Sequence, residues 1–192
     1  MTYGHGLVVR QNGSLYFTGS AFSGDTRTWK GTQSAVYYLS KDGARKVVDG
    51  GHEFFTGVCL SPDQSLLYVA DGNSHWIYSY QIQPDGSLKH KQRFYHLHVP
   101  DDADDASAGG MRVDRAGRLY VATRMGIQVC DQAGRVNCII PTPNGKVSNL
   151  VFGDPNFDIL YAACGDRIYS RKTKVQGANA FQPPIKPVPP RL

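Results

Sequence analysis

A Leu-Tyr pair recurs four times along the chain, at Leu15-Tyr16, Leu67-Tyr68, Leu119-Tyr120 and Leu160-Tyr161, with 52, 52 and 41 residues between successive tyrosines. Each pair follows the same phrase: an apolar run, a turn, then Leu-Tyr amid small or β-branched residues. The runs are Gly6-Leu7-Val8-Val9, Gly57-Val58-Cys59-Leu60, Gly110-Met111-Arg112-Val113 and Asn149-Leu150-Val151-Phe152. A period of about 40–50 residues holding several short strands is the mark of β-propeller blades, in which stacked four-stranded sheets bury their faces against one another.

Turn chemistry divides each repeat into strands. Asn12-Gly13 and Asp42-Gly43 suit type I′ hairpins, which need positive φ at both central residues, and Pro84-Asp85-Gly86 turns a later pair. The reading is blades at about residues 1–52, 53–106, 107–146 and 147–175, the last without an outer strand, followed by a Pro-rich tail at 176–192. Met1 to Gly6 is too short and glycine-rich to complete another blade, so the chain reads as three blades and most of a fourth. Ser20 to Gln33 and the acidic Val99 to Ala108 are insertions, and Pro183 to Pro190 is expected to be extended.

Composition narrows the function classes. The net charge is +5, but the basic residues are scattered, with one modest cluster at Arg167, Arg171, Lys172 and Lys174, so no nucleic-acid stripe forms. No apolar run reaches the roughly 20 residues of a membrane span, and no signal peptide is visible, so a soluble chain of unassigned compartment is expected. None of Cys59, Cys130, Cys138 and Cys164 has zinc-type spacing. Cys130 and Cys138 flank a hairpin turn and are expected to be small hydrophobes on adjacent strands rather than a disulfide. A Gly-x-Ser-x-Gly nucleophile elbow is absent. His96 and His98 alternate on one strand face without a third ligand in sequence.

Gly57-Val58-Cys59-Leu60-Ser61-Pro62-Asp63 with Leu67-Tyr68-Val69-Ala70-Asp71, Gly110-Met111-Arg112-Val113-Asp114 with Leu119-Tyr120-Val121-Ala122-Thr123, and Ser148-Asn149-Leu150-Val151-Phe152-Gly153 resemble one family in order and spacing. It is the gluconolactonase family, which includes senescence marker protein (regucalcin) and luciferin-regenerating enzyme. The resemblance runs from about Gly4 to Lys174 and corresponds to the last two-thirds of a six-bladed propeller. It implies an all-β fold and hydrolysis of a sugar lactone by one divalent metal (Ca, Mg, Mn or Zn) at the channel mouth. There the ion polarises the carbonyl and a water, and a carboxylate handles the proton.

This chain departs from the family at the ligand positions. Thr56-Gly57 stands where the family has Asn-Gly, Gly109-Gly110-Met111 where it has Asp-Gly-Met, and His5-Gly6 where it has Asn-Asp. The family's first-blade Glu has no counterpart. A metal site is therefore not expected to be intact, and the catalytic residues are unassigned. Residues expected near the mouth to bind a sugar-like ligand are His5, Thr56, Asp71, Arg124 and Asn149. Asp101, Asp102, Asp104 and Asp105 lie on the loop leading to Gly109 and read as a solvated run, with a displaced carboxylate as the other use. Three functions follow: a weakened or inactive lactonase, a noncatalytic propeller (a pseudoenzyme) binding a sugar-like ligand or a protein, or a truncated structural fragment. Self-association through exposed blade faces is expected in an open stack.

Overall fold

The computed structural model describes residues 2–21, 33–50 and 54–190. Most of the 20–33 insertion lies outside them. Fifteen strands and no helix are present among the described residues. They form three four-stranded antiparallel meanders and one three-stranded meander. The first sheet comprises β1 (Thr2–Val9), β2 (Leu15–Ala21), β3 (Gln33–Leu39) and β4 (Arg45–Gly50). The second comprises β5 (Phe55–Leu60), β6 (Leu66–Asp71), β7 (Trp76–Ile82) and β8 (Leu88–His96). The third is β9 (Met111–Val113), β10 (Leu119–Thr123), β11 (Gly126–Cys130) and β12 (Val136–Ile140), and the fourth β13 (Asn149–Gly153), β14 (Ile159–Cys164) and β15 (Arg167–Lys172). This is a β-propeller arrangement of four blades.

The chain reverses at the expected residues, but the turns are not type I′: only the glycines have positive φ, with Gly13, Gly43 and Gly86 at +86°, +89° and +78°, while Asn12 and Asp42 do not. Gly13 N donates to Arg10 O and Gly43 N to Ser40 O, so each reversal is a type I turn closed by a left-handed glycine. Each Leu-Tyr pair lies on a second strand, and alternation points its side chains to opposite sheet faces. Tyr16 packs with Val58 and Leu67 between the first two blades, and Tyr68 with Met111 and Leu119 between the second and third. Tyr120 packs with Leu150 and Leu160 between the third and fourth. Only Tyr161, on the last blade, has no following blade to enter. The core is thus three seams between four sheets.

Two features needed the third dimension. The first inner strand begins at Thr2, pairing Thr2 with Ala21, so the glycine-rich start extends its own blade. The Pro-rich tail, expected to be extended, packs along the surface. It crosses the end of the array opposite the mouth, where Gly177 N donates to Phe157 O at 2.7 Å and Ala178 N to Val113 O at 2.9 Å. Farther along, Gln64 Nε2 donates to Ala180 O at 3.0 Å, Ile185 N to Pro62 O at 2.9 Å and Gln132 Nε2 to Val188 O at 2.8 Å. One irregular segment therefore straps the fourth, third and second blades together.

Candidate functional site

The inner strands β1, β5, β9 and β13 begin at one end of the channel, which places His5-Gly6, Thr56-Gly57, Gly109-Gly110 and Ser148-Asn149 around a common mouth. Consecutive inner strands pack on each other there, and a chain of hydrogen bonds joins them. Gly6 N donates to Thr18 Oγ1 at 3.0 Å, and the Thr18 hydroxyl donates in turn to Thr56 O. Thr56 Oγ1 donates to Ala108 O at 2.7 Å, and Gly110 N donates to Ser148 O at 3.1 Å. The four blades are stapled in sequence around this rim.

Glycine makes the close approach possible. A Cβ on Gly57 would stand 2.0 Å from Gly109 O, and one on Gly109 would stand 2.4 Å from Ser148 O. A Cβ on Gly110 would meet Asn149 Oδ1 at 1.9 Å. Real Cβ atoms do not approach backbone oxygens this closely, so the rim requires residues without side chains at Gly57 and Gly109.

The expected ligand-binding residues occupy different settings. Thr56 and Asp71 are tied into the scaffold. Thr56 gives its proton to Ala108 O, and the buried Asp71 accepts Phe54 N at 3.3 Å and Asn73 N at 3.2 Å through Oδ1, capping the turn after β6. Asn149 is exposed at the start of β13, although its Oδ1 also accepts Leu150 N at 2.9 Å. His5 is exposed, its ring edge-on to Phe54 at 5.2 Å. Arg124 follows β10, and its Nη2 donates to Asp105 Oδ1 at 2.6 Å while Nε is buried without a partner. Asp105 is thus held by an arginine at the rim, whereas Asp101, Asp102 and Asp104 are exposed.

Sequence reasoning passed over Thr18 and Ser148 as rim groups. Thr18 is fully buried, a setting in which a hydroxyl needs a partner; its place three residues into the second strand, level with Gly6 on the first, was the only trace of this in the sequence. His96 does not act with His98. Its ring lies 4.3 Å from that of His75 and 4.8 Å from Trp76. Burial, with help from His96 and Arg93, lowers the His75 pKa. Cys138 pairs across from Val129 while Cys130 pairs with Val136, so the two thiols point to opposite faces. Cys138 is exposed rather than packed as a small hydrophobe, which corrects that expectation, and all four cysteines are free.

A divalent cation of the Ca²⁺ or Mg²⁺ kind takes several converging oxygens, carboxylates foremost. At the implied ligand positions this rim offers a glycine, whose approach to Ser148 O leaves no space for a carboxylate arm, and a single uncharged hydroxyl at Thr56. Among the described residues no group of three or more His, Cys, Asp or Glu could hold a metal ion. The donors present do not fit the group.

The family described as SMP-30/Gluconolactonase/LRE-like region matches residues 6–164. A gluconolactonase of Zymomonas mobilis is 23% identical over 180 residues, covering 89% of this chain and 50% of the relative. The chain therefore spans half the length of that relative. Among solved structures, a Xanthomonas campestris gluconolactonase is 27% identical with a TM-score of 0.69, over 89% of this chain and 56% of that one. A calcium-binding regucalcin from Agrobacterium tumefaciens has a TM-score of 0.75 at 13% identity, over 95% of this chain and 64% of that one. With the match covering most of its residues, this chain belongs to the SMP-30/gluconolactonase/LRE-like family.

Proposed function

We propose that this chain is a propeller of sugar-lactonase descent whose metal-dependent hydrolysis is weak or lost, and whose mouth binds a sugar-like ligand. The observation that carries the reading is the rim itself. Gly109 brings its inner strand against Ser148 O where the resemblance calls for a carboxylate, and Thr56 offers only a neutral hydroxyl where it calls for an amide oxygen. A polyol still finds suitable partners at the mouth: the Asn149 amide, the His5 imidazole, the exposed Ser148 and the Arg124–Asp105 pair, all hydrogen-bonding groups that read hydroxyls. Lactone hydrolysis remains the class suggested by the gluconolactonase relatives.

The test measures both properties on the purified chain. Calorimetric titration with Ca²⁺, Mg²⁺, Mn²⁺ and Zn²⁺ is expected to show no stoichiometric binding, and proton release from gluconolactone to stay near the uncatalysed rate, since removing acid–base help alone costs roughly a hundredfold or more. Robust turnover abolished by a chelator overturns the proposal and makes Asp71 and Asp105 the first positions to mutate.

The partner proposed for the whole chain is a second copy of itself. Among the described residues no blade lies against the face of the first sheet that bears Leu7, Phe17, Tyr37 and Val47; Leu7 is 56% and Val47 59% exposed, while Tyr37 is buried against the Phe17 ring. The last sheet leaves Val151, Tyr161 and Ile168 on its outer face, with Ile168 75% exposed. Apolar faces of this kind mark interaction surfaces.

A further inference from the structure

The end of the channel opposite the mouth holds a half-open pocket of about 240 Å³. Its walls are the far ends of the four inner strands, represented by Leu7, Cys59, Val113 and Phe152. The C-terminal strap flanks it with Ala178 and Phe181. Nothing in the lactonase reading uses this space. The rim groups stand at the beginnings of the same strands, and the cavity at their ends.

Arg112 is the one charged side chain among the residues lining the cavity, and no Asp or Glu lines it. Its Nη1 donates to its own neighbour Met111 O at 2.6 Å. No ion-pair partner for Arg112 is found among the described residues, although Asp63, Asp105, Asp114 and Asp131 all lie on the same two blades and are engaged elsewhere. Asp114, the nearest in sequence, is taken by Arg118 Nε at 2.6 Å and by Tyr120. Most other polar groups of the wall are engaged within the protein: Gln64 with Ala180 O and Gln11 N, Ser61 with Asp63, and the Asn179 carbonyl with Phe181 N, which leaves the Asn179 amide nitrogen as a neutral donor. What remains for a visitor is a mainly apolar, half-open pocket with one guanidinium, whose fork matches a carboxylate, and the Asn179 amide as a neutral donor.

We propose that this cavity is a second binding site, for a small amphipathic carboxylate whose acid group pairs with Arg112 and whose apolar body fills the space over Phe152 and beneath the strap. Size agrees with this class. An engineered apolar cavity of about 150 Å³ holds benzene, so 240 Å³ accommodates a ring with a short acid arm. A sugar acid fits poorly, because its hydroxyls would replace water contacts with apolar walls.

The experiment is calorimetric titration of the full chain with three probes of similar size: 3-phenylpropanoate, its uncharged analogue 3-phenylpropanamide, and gluconate. The acid is expected to bind at one site. The amide is expected to bind roughly tenfold to a hundredfold more weakly, the usual worth of a hydrogen bond to a charged group, and gluconate not to compete. Arg112→Gln, which keeps a donor for Met111 O, should weaken the acid by a similar factor and leave the amide unchanged. Equal binding of acid and amide to the wild-type chain, displacement by gluconate, or no binding of the acid at millimolar concentration overturns the proposal. The comparison of acid with amide needs no variant, so it stands even where Arg112→Gln fails to fold. The mouth takes no part in it, so failure here leaves the lactonase reading untouched.

Discussion

At the scale of single residues, the rim turns a loss of side chains into a gain of packing. Gly57 and Gly109 let two backbones pass at a distance that any Cβ would forbid. Gly57→Ala is therefore expected to cost about 1–3 kcal/mol or more, the usual range for overpacking. Gly109→Asp should also destabilise without creating metal affinity. Gly50→Ala is the control, since its Cβ would meet only Val47 Cγ1 at 3.7 Å, an ordinary contact. Thr56→Val removes the bond to Ala108 O at nearly constant shape and leaves a carbonyl short of a partner, for about 1–2 kcal/mol. Chemical denaturation of the four variants checks the order. A Gly109→Asp chain as stable as wild type would show that the blades can part at this seam.

At the scale of strands and hairpins, much of the architecture was legible in the sequence. Asn12-Gly13 and Asp42-Gly43 mark reversals because the left-handed backbone that closes each turn is a local property of its glycine, although the turn type is not the expected one. The Leu-Tyr pairs mark second strands because their two side chains must enter opposite faces. Register was harder to see. The side of the sheet on which a thiol falls depends on a one-residue bulge between Val129 and Cys130, which no local pattern signals, and this is why Cys138 emerges exposed. The mouth was legible only as a set of strand beginnings. That Thr56 would spend its hydroxyl on Ala108, or that Asp105 would meet Arg124, depends on how adjacent blades sit, a matter of tertiary packing. The cysteines provide a check. Burial pushes the Cys59 thiol up to about 11 and Cys130 up to about 12, and Cys164 is also buried. Native protein treated with iodoacetamide near pH 8 should take up one label, at Cys138, by mass spectrometry, and unfolded protein four. Because the two shifted thiols hold their protons more tightly folded than unfolded, their contribution is intact below about pH 9 and is lost as pH rises toward 11–12. Rapid labelling of Cys59 at pH 8 would contradict the packing of the seam between the second and third blades.

At the scale of the whole molecule, the described blades stack in one succession, with no further blade among the described residues against the first sheet or the last. The inner strands pack in succession from β1 to β13, and β13 does not pack on β1 as the consecutive pairs do. A contact between the first face of one copy and the last face of another joins different surfaces, so it propagates rather than closing after two copies. Light scattering is expected to show a mass that climbs with protein concentration, and Ile168→Lys to hold it down. A concentration-independent monomer of 21.1 kDa would overturn self-association. The strap bears on a different property. Stacked repeats that touch only their neighbours behave as a one-dimensional chain, free to fray from either end one unit at a time. Here the segment leaving the fourth blade is fastened to Pro62 and Gln64 of the second and returns to Gln132 of the third. The last blade cannot peel away while those bonds persist. Fraying from that side is converted into a concerted opening of three blades, and the molecule's cooperativity resides as much in sixteen irregular residues, 175–190, as in its sheets.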